Sequence, residues 1–252
     1  MTAVLAIVSA MPEEISLVVE SIDRAKTVEH GRRVFHSGTF HGVETVAVFS
    51  RWGKVAAAAT VTQLLASFPV SRLVLSGVAG GVRHGLSIGD VVIGSGLIQH
   101  DLDASPIFPR YEVPLLGKSL LEPDADVRGR LTRAAEAFLR EDFGSQIAPE
   151  ELARSLIRPP RVVEGVIASG DKFFGSAADA EELRRRLPLA ACVEMEGAAV
   201  AQVCEEYGVP FGVVRTLSDS ADERSAHDFP RFIREVARHY CAGILARFAA
   251  EL

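Results

Sequence analysis

The sequence predicts an α/β fold, three layers of α/β/α around a mixed, mostly parallel central sheet. Three observations carry that expectation. Short apolar runs such as "AVLAIVS", "SRLVLSG" and "VPFGVVRTLS" have the length of buried strands. Helical patterns stand between them in regular alternation. No repeat, low-complexity tract or linker interrupts that order. Residues 1–252 therefore read as a single domain, and 48% hydrophobic content over 252 residues suffices for one large core.

Residues 3–9 form the first strand. "MPEEISLVVESI" is a helix with Pro12 at its first position, where the missing N–H costs nothing. "RRVFHSGTF" and "ETVAVFS" alternate as strands. "GKVAAAATVTQLLASF" is Ala-rich and apolar on a broad face, a buried helix. "SRLVLSGVAGG" is a strand running into a glycine-rich loop, and "IGDVVIGSGLIQ" is a further strand. Residues 100–118 hold three prolines and little periodicity, the mark of a functional or interface loop. Charged helices are expected over 120–158. "RPPRVVEGVIASGDKFF" is a strand with its exit loop, and "SAADAEELRRRLP" an exposed helix. "LAACVEM" is a strand and "EGAAVAQVCEEYG" the helix after it, stopped by Gly208. "VPFGVVRTLSD" is the last strand, and the stretch from His227 a long amphipathic terminal helix.

Composition narrows the function classes. The net charge is −6 and no basic stripe exists, so nucleic acid is not an expected partner. Three cysteines at Cys192, Cys204 and Cys241 fit no zinc spacing and suit reduced thiols in a cytoplasm. The apolar opening lacks a basic flank and is too short to span a bilayer, so no membrane is expected. The seven histidines form no HxxxH or HExxH pattern, and no GxSxG elbow occurs. Metal chemistry and a serine nucleophile both lack support.

In such folds, functional groups gather beyond strand C-termini. That rule selects 11–14, 50–53, 77–81, 169–174, 194–196 and 218–222. Each has a plainer reading beside it. "SGVAGG" exposes backbone N–H groups but also fits a tight turn. Glu13 and Glu14 suit a helix N-terminus, as do Glu194 and Glu196. Ser218, Asp219 and Asp222 suit a cap or Asx turn. Taken together, however, Glu14, Glu196 and Asp219 put carboxylates at three separate strand ends. That arrangement suits hydrolysis at an anomeric carbon. One acid protonates the leaving group, one activates water and one holds sugar hydroxyls.

"SAMPEEI", "GKVAAA", "SGVAGG", "IGDVVI", "SGDKFF", "VEMEGAAVAQVC" and "VPFGVVRTLSDSAD" together resemble the bacterial 5′-methylthioadenosine/S-adenosylhomocysteine nucleosidases. These belong to the purine nucleoside phosphorylase and uridine phosphorylase superfamily. The resemblance implies a nucleoside phosphorylase-like domain and a hydrolase that frees adenine. Its substrates would be 5′-substituted adenine nucleosides: methylthioadenosine, S-adenosylhomocysteine, 5′-deoxyadenosine or aminodeoxyfutalosine. It implies Glu14 as the base for water and Asp219 as the acid that protonates adenine N7. Glu196 would bind the ribose hydroxyls, with Met195 beneath the ribose and Glu194 either structural or substrate-facing. Val78, Ala79, Gly80, Phe173, Phe174 and Ser218 would line the base and water sites, and Met11, Trp52 and Phe229 the 5′-substituent. Phe108 and Tyr111 would reach the pocket of the neighbour in a homodimer, where aromatic residues are enriched. No cofactor or metal is required. Asp219 must then arrive protonated, which desolvation favours, and Glu14 ionised, which its helical first turn favours.

The sequence departs from the family pattern at Val78, where a Ser is usual, at Pro12, where an acid is common, and at Trp52, a larger side chain than usual in the tail pocket. Residues 141–160 are longer than the usual connection. A phosphorylase on the same fold is the alternative. The acids of "SAMPEE" would repel phosphate, although Arg51 and Arg83 remain as anion contacts. A non-catalytic nucleoside binder would have no need of both Glu14 and Asp219.

Overall fold

The computed structural model describes residues 4–147, 149–151, 158–221, 229 and 231–252. Asp222, His227 and most of the helix expected over "APEELARSLIR" lie outside the described residues.

Nine strands form one mixed sheet: β1 (Val4–Ser9), β2 (Ile22–His30), β3 (Arg33–Phe40), β4 (Val43–Phe49), β5 (Val70–Gly81), β6 (Val91–Gln99), β7 (Val162–Ser169), β8 (Ala190–Glu194) and β9 (Phe211–Asp219). Their order is β2-β3-β4-β1-β5-β8-β7-β6-β9. Pairs β1/β4, β1/β5, β5/β9, β6/β7 and β7/β8 are parallel, while β2/β3, β3/β4, β5/β8 and β6/β9 are antiparallel. Because β9 also pairs with β5, strands β5, β8, β7, β6 and β9 close into a ring. Closure removes the free edge that β9 would otherwise leave and brings the C-terminal ends of β5, β7, β8 and β9 close together.

Helices cover both faces. On one lie α1 (Pro12–Glu20), α3 (Ala125–Ala137) and α6 (Arg238–Ala249), around Leu5, Ile7, Val18, Leu131, Phe138 and Phe248. The other face carries α2 (Lys54–Ser67) and α5 (Gly197–Tyr207), around Val8, Val61, Leu64, Leu75, Val200 and Val213. Each such buried Leu, Ile or Phe contributes about 1.5–3 kcal/mol. The helix α4 (Ala177–Arg186) closes a satellite cluster containing Phe174, Leu183 and Val193. Capping agrees with the sequence. Asp124 caps α3 and Ser176 caps α4 through their side chains. Gly208 ends α5 at φ 66°, a left-handed conformation that suits glycine.

Three local differences have physical causes. The strand β2 was not expected. It is an edge strand exposed along nearly all of its length, so neither face imposes an apolar alternation on "IDRAKTVEH". Its charged residues suit an edge that must not pair further. The glycines of "SGVAGG" do not leave the sheet as a loop. They continue β5 to Gly81, paired with β9 and then β8. The helix expected from residue 120 begins at Ala125. It passes through a π-helical turn (Phe138–Asp142) into a last turn (Phe143–Gln146).

Candidate active site

The chain leaves β1 at Ser9 and enters α1 at Pro12, which places Glu14 at the third helical position. Its carboxylate folds back over the helix N-terminus. Oε2 accepts from the N–H groups of Ala10 (2.9 Å) and Met11 (3.0 Å), and Oε1 from Val78 on β5 (3.0 Å). The side chain is only 1% exposed. Burial raises its pKa, while Arg215 and those three N–H groups pull the other way. A carboxylate balanced in this way suits a general base, whose best pKa lies near the working pH.

The strand end "CVEMEG" resolves its two acids into different tasks. Glu194 holds the turn together. It accepts from the backbone N–H of Glu196 (3.1 Å) and Gly197 (2.8 Å) and from the Ser169 hydroxyl, and it pairs with Arg215. Glu196 accepts at Oε1 from Gly53 N–H (2.9 Å), and its Oε2 lies 3.6 Å from Arg215. Burial first, and then the neighbouring Glu194, push the pKa of Glu196 upward against Arg215 and the Gly53 N–H. Gly53 sits at φ 92°, a backbone state that glycine reaches cheaply, and this aims its N–H at the carboxylate.

Arg215 is the functional side chain that sequence reasoning missed. It is 0% exposed and serves Glu194, Glu196 and, through its field, Glu14. Burial opposes its charge, but the three carboxylates hold it. Its Nε and Nη1 have no hydrogen-bond partner. A Cβ at Gly77 would collide with Nη1 and stand 2.7 Å from Glu14 Oε1. The bare Gly77 therefore lets an unpartnered guanidinium N–H approach the Glu14 carboxylate. The signal was visible: one arginine inside the otherwise apolar "FGVVRTLS" has to be paired if buried.

Glu14, Glu194 and Glu196 face a cavity with about 440 Å³ of empty space, open solvent at its mouth included. It is lined by Ala10, Met11, Glu14, Trp52, Val78, Ala79, Phe173, Val193, Glu194, Met195, Glu196 and Phe229. Ten of these were expected from sequence, and Ala10 and Val193 were not. The aromatic rings stand edge to face, Trp52 with Phe229 at 6.0 Å and Phe173 with Phe229 at 5.7 Å. Trp52 does not close the passage outward. Met11, Trp52, Phe173 and Phe229 also line an outer chamber, together with Pro12, Glu13, Ile233 and Arg234.

Four expected residues are not brought to the cavity wall. Phe174 turns into the satellite core, edge-on to His100 at 5.4 Å, so Phe173 alone offers a ring. Gly80 and Ser218 lie behind Ala79, where the Ser218 hydroxyl sits 3.4 Å from Ala79 O. Asp219 is buried at the end of β9, opposite Gly80. Its Oδ2 accepts from Ser218 Oγ (2.8 Å) and its Oδ1 from Ala221 N (2.8 Å). It borders a neighbouring hollow with Arg83, His84 and Arg184. Phe108 and Tyr111 do not reach the cavity of their own chain. Tyr111 packs on the satellite core beneath Arg110. Arg51 donates to Arg32 O and Arg83 borders the neighbouring hollow, so neither faces Glu14. Among the described residues, no cluster of His, Cys, Asp and Glu could hold a metal ion, and no helix is long and apolar enough to cross a membrane.

The model of the phosphorylase superfamily matches residues 4–250. A 5′-methylthioadenosine/S-adenosylhomocysteine nucleosidase of Chromohalobacter salexigens is 35% identical over 235 residues, 93% of this chain and 92% of that one. An aminodeoxyfutalosine nucleosidase of Helicobacter pylori is 35% identical over 250 residues, 98% of each chain. Among solved structures, the 5′-methylthioadenosine/S-adenosylhomocysteine nucleosidase of Neisseria meningitidis in complex with methylthio-immucillin-A is similar. It has a TM-score of 0.87 and 31% identity, and the match covers 99% of both chains.

Proposed function

The chain belongs to the phosphorylase superfamily, and from that membership we propose that it hydrolyses the N-glycosidic bond of 5′-substituted adenine nucleosides, releasing adenine. The enzyme is a nucleosidase of the kind named among its relatives, which are named for methylthioadenosine and S-adenosylhomocysteine or for aminodeoxyfutalosine. The observation that carries the reading is the buried Glu14, held by three backbone N–H groups beside the unpartnered Nη1 of Arg215, at the floor of an aromatic-walled cavity.

In this mechanism a water lies between Glu14 and Arg215. Glu14 takes its proton as the oxygen attacks C1′. The bond from C1′ to N9 breaks, and its electron pair goes to the base. Asp219 gives a proton to N7, so adenine leaves neutral. That step needs the Asp219 carboxyl to turn from the Ser218 and Ala221 contacts toward the Ala79 side of the cavity. Glu196 accepts from the ribose hydroxyls; these donors, added to Arg215 and the Gly53 N–H, favour its ionised form against burial, and that charge stabilises the positive charge building on the sugar. Met195 packs beneath the ribose, and Phe173 stacks on the base. The cavity favours water over phosphate. Three acidic side chains line it, and among the described residues no lysine or arginine does, which leaves a phosphate anion without a countercharge.

One sheet carrying all nine strands supports reading residues 1–252 as one nucleoside phosphorylase-like domain. Three free, buried cysteines suit a cytoplasmic enzyme. Val55, Ile107 and Leu115 are 80%, 82% and 94% exposed, a cost that a homodimer would relieve. Its neighbour's Phe108 and Tyr111 would then complete the pocket. Sedimentation at micromolar concentration should give twice the chain mass, and the mass of a single chain would dismiss the dimer.

Glu14→Gln and Asp219→Asn test the assignment. Each should cut turnover on methylthioadenosine by about 10²–10⁴-fold while the circular dichroism spectrum stays that of the parent. Near-parental turnover in either variant would remove that residue from the mechanism.

A further inference from the structure

We propose that Glu13 and Arg234 form a two-charge subsite for the zwitterionic amino-acid end of a 5′-substituent, which makes them specificity-determining residues for substrates of the S-adenosylhomocysteine kind. The proposal rests on the nucleosidase reading above and adds a substrate preference to it.

The outer chamber shares Met11, Trp52, Phe173 and Phe229 with the inner cavity. A 5′-substituent leaving the inner cavity at its aromatic end therefore enters the outer one. The outer chamber has about 1000 Å³ of empty space, its open mouth included. A methylthio group would leave nearly all of it to water, whereas an amino-acid tail would span it. Apolar rings and Ile233 make up most of its wall, and among the described residues its charged lining groups are one carboxylate, Glu13, and one guanidinium, Arg234.

Those two groups come from different elements. Glu13 is in the first turn of α1, and Arg234 is in the π-helical turn (Ile233–Ala237) that leads into α6. Neither makes an ion pair with the other or with any other described residue, although ion pairs are common elsewhere on this surface. Two opposite charges on the wall of one apolar chamber, not paired with each other, match a ligand end that carries both signs. The guanidinium offers a fork of donors to an α-carboxylate, and the Glu13 carboxylate accepts from an α-ammonium. A tail with a carboxylate alone would be attracted by Arg234 and repelled by Glu13. A neutral methylthio end needs neither. Beyond them, Glu235 and Arg238 line a further hollow with the same pair.

Steady-state kinetics of the full chain with three substrates test this: methylthioadenosine, S-adenosylhomocysteine, and an S-adenosylhomocysteine analogue lacking the amino group. For Arg234→Ala, the KM for S-adenosylhomocysteine relative to methylthioadenosine should rise about 2- to 5-fold, the scale of a solvent-exposed charge contact. For Glu13→Gln, that ratio should also rise, while the KM for the deaminated analogue falls. Added salt should erode the parental preference for S-adenosylhomocysteine, because these charges are exposed and screened. An unchanged KM ratio in both variants would overturn the subsite. A Glu13→Gln effect of the same sign on the deaminated analogue would overturn the role of Glu13 as the ammonium's partner. If the parental enzyme releases adenine from none of the three, the nucleosidase reading itself fails, a result distinct from either.

Discussion

Arg215 sets the electrostatics of the site, and Gly77 makes room for it. A methyl group at residue 77 would meet both Arg215 Nη1 and Glu14 Oε1. Gly77→Ala should therefore lower kcat much more than it raises KM, and destabilise the fold by about 1–3 kcal/mol through overpacking. Chemical denaturation alongside steady-state assays checks both, and an alanine variant with parental kcat would contradict the close approach. The raised pKa values of Glu14 and Glu196 fix a pH dependence. In the unfolded chain these groups release their protons near ordinary glutamate pH, while in the fold they keep them higher. The native state then binds more protons, so stability falls as pH rises from about 4.5 toward 8. Glu196→Gln should flatten that slope, and equal slopes by thermal melts at several pH values would count against it. At this scale the sequence shows the acids but not their division of labour. "VEME" reads as two carboxylates at one helix start, and only the fold separates the capping Glu194 from the cavity-facing Glu196.

Among the elements, three loops are tied together around the pocket mouth by one polar network. Asp171 Oδ1 accepts from Lys54 N (2.8 Å) at the start of α2, and Asp171 N–H donates to Asp101 (2.9 Å). Lys54 Nζ reaches Asp101 (2.6 Å) and Gln99 (3.1 Å). This fixes Gly53, whose N–H holds Glu196, relative to the loop carrying Phe173. Asp171→Ala should cost about 0.5–1.5 kcal/mol of stability and raise KM for methylthioadenosine, while the pH profile of kcat stays in place. A shifted profile would mean that Asp171 acts on the chemistry itself. Strands with one or both faces buried were legible because burial writes a pattern into the sequence. The edge strand β2 was not, since nothing covers it. The glycines of β5 mislead for a related reason. They signal a loop locally, yet they are in a strand because Arg215, Glu14 and Asp219 crowd against that backbone.

For the whole molecule, the α/β class and the mixed sheet were readable from alternation, five of the six strand ends selected from it border the cavity, and the resemblance added the chemistry. Ring closure by β9 was not readable, because pairing of β9 with both β5 and β6 is a long-range choice that no local period records. That closure carries Asp219 to the far side of Ala79 and Gly80 from the carboxylates of the cavity. By the proposed mechanism, this site directs water, not phosphate, to C1′. The most direct measurement is adenine release from methylthioadenosine across a phosphate titration starting from none, with the sugar product identified by mass. Full turnover without phosphate, with free methylthioribose throughout, is expected. Turnover that appears only with phosphate and yields a sugar 1-phosphate would contradict that mechanism.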